Sequence, residues 1–562
     1  MKIRLALLVC ASLFLFAVVF TILAVVKTSE TAAEPRFDGN NIVRAEPFGP
    51  DQAAFDAAMN YVRRSSVVRK NLPASRSRLI SFQPLESESK SNEPRIPPTR
   101  FRAVFYDYSR NRDVVAEGRF DRSEPIKLSF SNDQLPPNDE EFNAAVEVVK
   151  KDRDLGSGIN SKRLEVYPPM PPVLYPYDVK EKVERTIFIG LRSTNGSHTN
   201  EIVGVNMIRD KLIRYKSKAP QAAISAPEGC GLSSSGGANG RAIAGSARIT
   251  ISKPVGNAEQ VELWDFVVNR PSSSSGTDGS AIELTDIKFK GKLMLKRLHI
   301  PVLNVKYNYS CGPFRDWQYA ESDFSTPSGS TDLAPGIRFC PSPPTTIVEN
   351  RSDAGNYRGV AVYNQDGATV LVTEMAAGWY RYLNEYQFLN DGTIKPRFGY
   401  GSITSSCVCI QRKHHAYWRM DFDVKSPFNR VFQVNGSDPP ILESTEYTTD
   451  RTPGMKWIIQ DTTTGDSVTL TPNANDGTAA GDDFAKSDFW LLTYKPFPQE
   501  VNDSPNDPSI NLAPYLNGES TDNSDIVIWY GTHIQRSDDT SFANDPLLNG
   551  TYTPGPDIKA NW

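Results

Sequence analysis

The sequence predicts two small α+β units followed by a large antiparallel β-sandwich, carried behind an apolar N-terminal segment. Three observations predict it. At 562 residues the chain is too long for one small core. Its 37 Gly and 41 Pro are spread along the whole length, which suits turn-rich β structure better than a helical protein. Helical periodicity is confined to two stretches before residue 160, and from about 245 onward short alternating or aromatic-rich runs follow with no amphipathic helix between them.

In chain order, Lys2 and Arg4 precede an uncharged run from Leu5 to Val26, closed by Lys27. That run is long enough to span a bilayer, and the bias of positive charge before it keeps the N-terminus cytoplasmic. The expectation is a signal anchor over 1–27 with the rest luminal or extracellular; a cleaved signal peptide and a secreted product is the alternative. Asn-x-Ser/Thr sequons at Asn195, Asn308, Asn350, Asn435, Asn502 and Asn549 fit a glycoprotein. Residues 28–49 read as a stalk. A helix is expected from Asp51 to Arg64, where Phe55, Met59 and Val62 share a face. Pro136-Pro137-Asn138-Asp139-Glu140-Glu141 is a helix start, with Phe142, Ala145, Val146 and Val149 as its apolar stripe. With strands around Phe101–Tyr108, Thr186–Leu191 and Glu201–Arg209, this gives small α+β domains over 50–135 and 136–225. The sandwich, 226–562, is expected from runs such as Leu293–Lys306, Gly359–Glu374, Tyr380–Phe388, Tyr417–Val424, Asp488–Tyr494 and Asp525–Tyr530.

Composition excludes some functions. With 62 Lys+Arg against 66 Asp+Glu the net charge is −4, so nothing draws the chain to nucleic acid. A histidine-based metal site must come from His198, His299, His414, His415 and His533. Past Cys10, the cysteines Cys230, Cys311, Cys340, Cys407 and Cys409 permit at most two internal disulfides with one left over. Cys407 and Cys409 are read as sharing a strand face, in a disulfide or as buried thiols rather than on zinc. No Gly-rich phosphate loop, Ser/His/Asp order or zinc-protease helix is present.

Six segments, in order, resemble the copper amine oxidases, enzymes whose quinone cofactor is made from their own tyrosine. Asp488-Phe-Trp-Leu-Leu-Thr-Tyr-Lys-Pro, Asn523-Ser-Asp-Ile-Val-Ile-Trp-Tyr530 and Thr532-His533-Ile534 resemble the family's "LWVTPY-P", "NTDIVVWY" and "THIPRPED" runs. Tyr380-Arg-Tyr-Leu-Asn-Glu-Tyr-Gln-Phe-Leu-Asn-Asp-Gly-Thr-Ile394 resembles the segment that carries the quinone precursor. Pro313-Phe-Arg-Asp-Trp-Gln-Tyr319 resembles the stretch before the catalytic base, and the 139–151 helix with Lys150-Lys151-Asp152 resembles part of the second small domain.

The resemblance implies oxidative deamination of primary amines by O2 to aldehyde, ammonia and hydrogen peroxide, on a homodimer holding copper and topaquinone. Tyr380 corresponds to the quinone precursor, with Trp379 and Arg381 where the family has Asn and an acid. Tyr319 corresponds to a gating tyrosine and Glu321 to the base, with Asp323 a second candidate. Tyr309, or less well Tyr307, corresponds to the tyrosine that hydrogen-bonds the quinone. For the metal, His414 and His533 match two of three histidines, Arg412 stands at the first, and a bulge would be needed to bring in His415. A guanidinium is a very poor ligand and repels Cu(II). The changes at Arg412, Trp379 and Arg381 touch one small site, so two expectations stand. One is an active amine oxidase; the other is a catalytically inactive relative kept as a binding or structural surface protein.

Overall fold

The computed structural model describes residues 41–562 except 73–75, 86–95, 132–134, 136, 168–183, 194–197, 199–200, 215–229, 233–239, 242–244, 256–258, 272–279, 308–313, 317, 319, 404, 480–486, 496–514 and 537–552. The apolar run 5–26 therefore lies outside the described residues, as do Tyr309, Tyr319 and the sequons at Asn195, Asn308, Asn502 and Asn549. Among the described residues no helix is long and apolar enough to cross a membrane.

The first small unit packs the helix Gln52–Arg64 and the shorter Ser66–Asn71 on a four-stranded antiparallel sheet spanning Ser77–Ser131. The Asp51 carboxylate caps the first helix by accepting from the Ala54 N–H at 2.8 Å. Its buried stripe is Phe55, Ala58 and Val62, so Ala58 takes the central place expected of Met59, which is half-buried. In the second unit Asn138 caps the helix Asp139–Val149, and Asp152 caps Arg153–Asn160 over the sheet Leu164–Arg214. Glu141, expected as a first-turn acid facing the helix dipole, is instead buried. Its carboxylate accepts from Arg185 at 2.9 and 2.5 Å and from the Tyr108 hydroxyl at 2.7 Å. Tyr106 and Tyr108 of the first sheet join Val146, Val149, Ile189 and Val205 of the second unit in one core.

The remaining strands form two large sheets, of ten and thirteen strands. They face each other through rows of aromatic side chains: Phe266 stacks on Phe388 with centroids 4.2 Å apart, Trp264 meets the same ring at 5.2 Å, and Tyr386 meets Trp418 at 5.9 Å. The expected sandwich is thus present, antiparallel except for Ile337–Phe339 beside Val360–Gln365. The single run read over Gly359–Glu374 is two strands, Val360–Gln365 and Ala368–Ala377. They are joined at Asp366-Gly367, both at positive φ (49° and 75°), the dipeptide a tight hairpin favours. The stalk read over 28–49 is corrected at its end: Ile42–Pro47 is the edge strand of the ten-stranded sheet, paired with Ala247–Ser252. Cys407 and Cys409 are not on a strand but in the 3-10 turn Ser406–Cys409. Cys409 is disulfide-bonded to Cys230, Cys407 is also disulfide-bonded, and Cys340 is a free buried thiol.

Candidate functional site

Tyr380 opens the strand Tyr380–Leu389 of the thirteen-stranded sheet, between Ala377 and Ser402 in register. Alternation sends Tyr380, Tyr382 and Tyr386 to the inner face, against the ten-stranded sheet. The Tyr380 side chain is fully buried. Its hydroxyl lies 2.7 Å from that of Tyr307, to which the Trp379 indole N–H donates at 3.1 Å. Tyr307, the weaker of the two readings for the hydrogen-bonding tyrosine, thus stands at the hydroxyl of Tyr380. Burial pushes the Tyr380 and Tyr307 phenols up, so both are neutral at physiological pH. The Tyr380 ring is walled by Tyr382 and Tyr400, each with its centroid 5.5 Å away, by Trp379 at 6.2 Å and by His414 at 4.7 Å. Tyr382 donates to Asp316, whose carboxyl is pushed well above its ordinary range by burial.

The altered flanks of Tyr380 are built into the core. Arg381 has no exposure; it donates to Asp353 at 2.6 and 3.1 Å and to the Tyr380 carbonyl at 3.0 Å. The base candidates are similarly tied. Glu321, in the short strand Ala320–Glu321 beside Met375, accepts two hydrogen bonds from Arg270, at 2.8 and 2.5 Å, with exposures of 0% and 7%. Asp323 accepts from Arg358 at 2.9 and 3.1 Å. A carboxylate held bidentately by a guanidinium has one acceptor site of each oxygen committed to the ion pair.

The three histidines offered as metal ligands are not brought together. Arg412–Phe422 pairs with Ile526–Arg536 in unbroken antiparallel register, placing His414 opposite Ile534 and His415 opposite His533. No bulge interrupts this stretch, so His414 faces Tyr380 while His415 and His533 share the other face. There the two Nδ1 atoms are 2.8 Å apart, one donating and one accepting. His533 Nε2 lies 3.2 Å from Asp488 Oδ1. Burial lowers the His533 pKa to about 3, against the opposing pull of Asp488.

The face of Tyr380 carries a different set. Arg412 is directly opposite Arg536, and both flank His414. Arg412 Nη1 donates to the carbonyls of Val408 (2.6 Å) and Ile410 (3.2 Å); Arg536 lies over the Tyr400 ring, 4.0 Å from its centroid, and donates to the Tyr400 carbonyl at 2.8 Å. Both nitrogens of fully buried His414 lack a hydrogen-bond partner, an arrangement a metal would satisfy. Yet burial, Arg412 and Arg536 hold its pKa well below the ordinary value. One neutral imidazole beside two fixed cations is not a donor set for Cu(II). Copper does not fit this face. Among the described residues, oxygens of Asp421, Asp423 and Asp525 lie within 4.8 Å of one another, an all-carboxylate group that could hold a hard cation.

Sequence reasoning missed Arg536, Asp316 and Asp353. Asp316 stood in the quoted Phe-Arg-Asp-Trp run and could have been weighed; the other two needed partners 124 and 28 residues away, fixed only by register or folding.

No protein-family model matches the chain, and no curated protein matches it. Solved structures do. A copper-containing benzylamine oxidase from Hansenula polymorpha has a TM-score of 0.57 at 12% identity, covering 92% of this chain and 98% of that one. The Pichia pastoris lysyl oxidase gives 0.55 at 12%, covering 94% and 91%. An Aspergillus nidulans amine oxidase gives 0.54 at 12%, covering 94% and 89%. Over nearly its whole length the chain has the fold of the copper amine oxidases.

Proposed function

We propose that this protein uses the amine oxidase fold as an anchored extracytoplasmic binding or structural protein, and that its Tyr380 centre does not carry out quinone-dependent deamination. The observation that supports this most directly is the register that sets the opposed pair Arg412 and Arg536 next to His414, on the face of Tyr380. The disulfide between Cys230 and Cys409 is in keeping with an oxidising compartment, and the apolar run Leu5–Val26 with an anchor. The test is aerobic incubation of the purified chain with excess Cu(II), then redox-cycling quinone staining and mass mapping of the Tyr380 peptide. An unmodified Tyr380 in copper-treated protein is expected; added oxygen on Tyr380 overturns the proposal.

A second reading keeps the oxidase, acting on primary amines with O2 as a homodimer. What favours it is the His415–His533 contact at 2.8 Å, with Asp488 behind His533 as a carboxylate often stands behind a metal-bound histidine. It requires stoichiometric copper that is lost in His533→Ala, and a wild-type chain that binds none removes it.

A further inference from the structure

The outer face of the thirteen-stranded sheet, opposite to that of Tyr380, carries a cavity of about 470 Å³. Its floor is set by register. Tyr363, Val370, Gln387 and Lys395 form one row across four strands, and Ala361, Val372, Glu385 and Arg397 form the next. Its wall comes from Pro343, Pro344, Thr346 and Glu349.

The polar group at its centre is Glu385, 5% exposed. Its Oε1 accepts from Gln387 Nε2 at 2.6 Å, and among the described residues its Oε2 has no partner. Arg397, opposite it in register, is turned away: Nη2 holds Asp557 at 2.5 Å, and Nη1 donates to the carbonyls of Pro396, Gly555 and Pro556 at 2.9, 2.8 and 3.1 Å. Glu349 is held at the wall by the N–H and hydroxyl of Thr346, at 2.6 and 2.5 Å. The charged lining is thus Glu349, Asp366 and Glu385 against Lys395, whose Nζ is drawn to within 4.0 Å of Asp557. The apolar part of the lining is Val370, Val372, Leu389 and the Tyr363 ring.

We propose that this cavity binds a small organic ammonium ion, its N–H donating to Glu385 Oε2 and its apolar body resting on Val370, Val372 and Tyr363. A bare ion would not fill such a volume, and the carboxylates of the lining, Glu349, Asp366 and Glu385, outnumber its one ammonium, Lys395, which favours a cationic ligand over a neutral one. The proposal is independent of the chemistry at Tyr380. Burial, followed by Gln387, Glu349 and Arg397, sets the Glu385 pKa at about 7. The other ionisable groups facing it are Tyr363, Asp366 and Lys395. Ammonium binding is therefore strong above that pH and weakens as pH falls below it.

The test is calorimetric titration of the full chain with N,N-dimethylbenzylammonium, a tertiary amine that cannot form a Schiff base, beside neutral benzyl alcohol. We expect one-to-one binding of the ammonium with Kd of about 1 mM or tighter, and at least about tenfold weaker binding of the alcohol. E385Q weakens ammonium binding at least about tenfold with an unchanged melting temperature, and K395Q tightens it. Equal binding of the two probes, no binding of the ammonium, or affinity unchanged in both variants overturns the proposal. If E385Q proves unfolded, K395Q and the pH dependence decide by themselves.

Discussion

Replacing Glu321 by Gln separates two accounts of that residue. As a general base it would be dispensable to folding; as the structure has it, it neutralises Arg270 inside the protein. The pair makes two charge-assisted hydrogen bonds, 2.8 and 2.5 Å long, with exposures of 0% and 7%, so almost no water is present to take over. Removing one charge leaves the other buried and uncompensated, a loss of about 3–5 kcal/mol. Chains of this size often unfold irreversibly, so the assay is the unfolding rate in fixed denaturant, followed by the fluorescence of the eight tryptophans. If the pair breaks fully in the unfolding transition state, E321Q unfolds roughly 100- to 4,000-fold faster than wild type. The double variant R270M/E321L, which removes both charges, returns close to wild type. Gly336 supplies an independent check. It sits at φ +75°, and a Cβ there would lie 2.1 Å from Arg270 Nη1, so G336A should displace the guanidinium and accelerate unfolding too. An E321Q rate within about twofold of wild type would refute the reasoning and return Glu321 to the status of a solvated loop carboxylate.

The double variant R412H/R536H, which places two opposed imidazoles next to His414, should gain Cu(II) affinity over wild type by equilibrium dialysis; unchanged binding would mean that the arginines are not what excludes the metal. Burial raises the Glu374 carboxyl from 4.5 to about 8, against its hydrogen bond from Ile347 N. The folded state therefore holds the proton more tightly than the unfolded one, and stability that is full below 4.5 is lost as pH rises through 8. E374Q should flatten that fall, read as unfolding rates across the window. His533 works in the opposite sense: neutral when folded down to about 3 against an ordinary 6.5, it removes stability as pH drops between those values, and H533N should make the chain less acid-labile. Opening Cys230–Cys409, which spans 179 residues, should cost about 5 kcal/mol on loop entropy, seen as faster unfolding of C230S/C409S.

Local rules were legible in the sequence wherever a few neighbouring residues decide the outcome. The helix Gln52–Arg64 was legible in its apolar spacing, and Asp139–Val149 in the prolines before it and the acids of its first turn, because those signals act within a few residues. Aromatic alternation announced Tyr380–Leu389 because the strand buries one face on the other sheet. What failed were decisions made between distant segments. Thr532-His533-Ile534 resembled a ligand motif, but the ladder that sets Asp421 opposite Val527 also sets His533 opposite His415 and Arg536 opposite Arg412. A one-residue change of parity moves a side chain through the sheet, and no local signal carries parity. Likewise Glu321 looked free because its partner is 51 residues away.

The residues around Tyr380 have the character of a consistently built core. Decay would leave orphaned charges, since losing a metal or a substrate removes the counterpart but not the group. Instead the cations at altered or buried positions have found compensation. Arg381 is matched to Asp353, Arg270 to Glu321 and Arg358 to Asp323; Arg412 and Arg536 are spent on backbone carbonyls and an aromatic face. Trp379 fills space and donates to Tyr307, whose hydroxyl meets that of Tyr380. Each arrangement needs two residues to agree. His414 is the exception, an imidazole with two unpartnered nitrogens among rings that would accept a carbon skeleton equally well. H414F should therefore be tolerated, or stabilising, in a chain whose Tyr380 centre is structural. It should be strongly disruptive to metal content in one whose centre is catalytic, so unfolding rate and copper stoichiometry measured on this one variant read the two accounts in opposite directions.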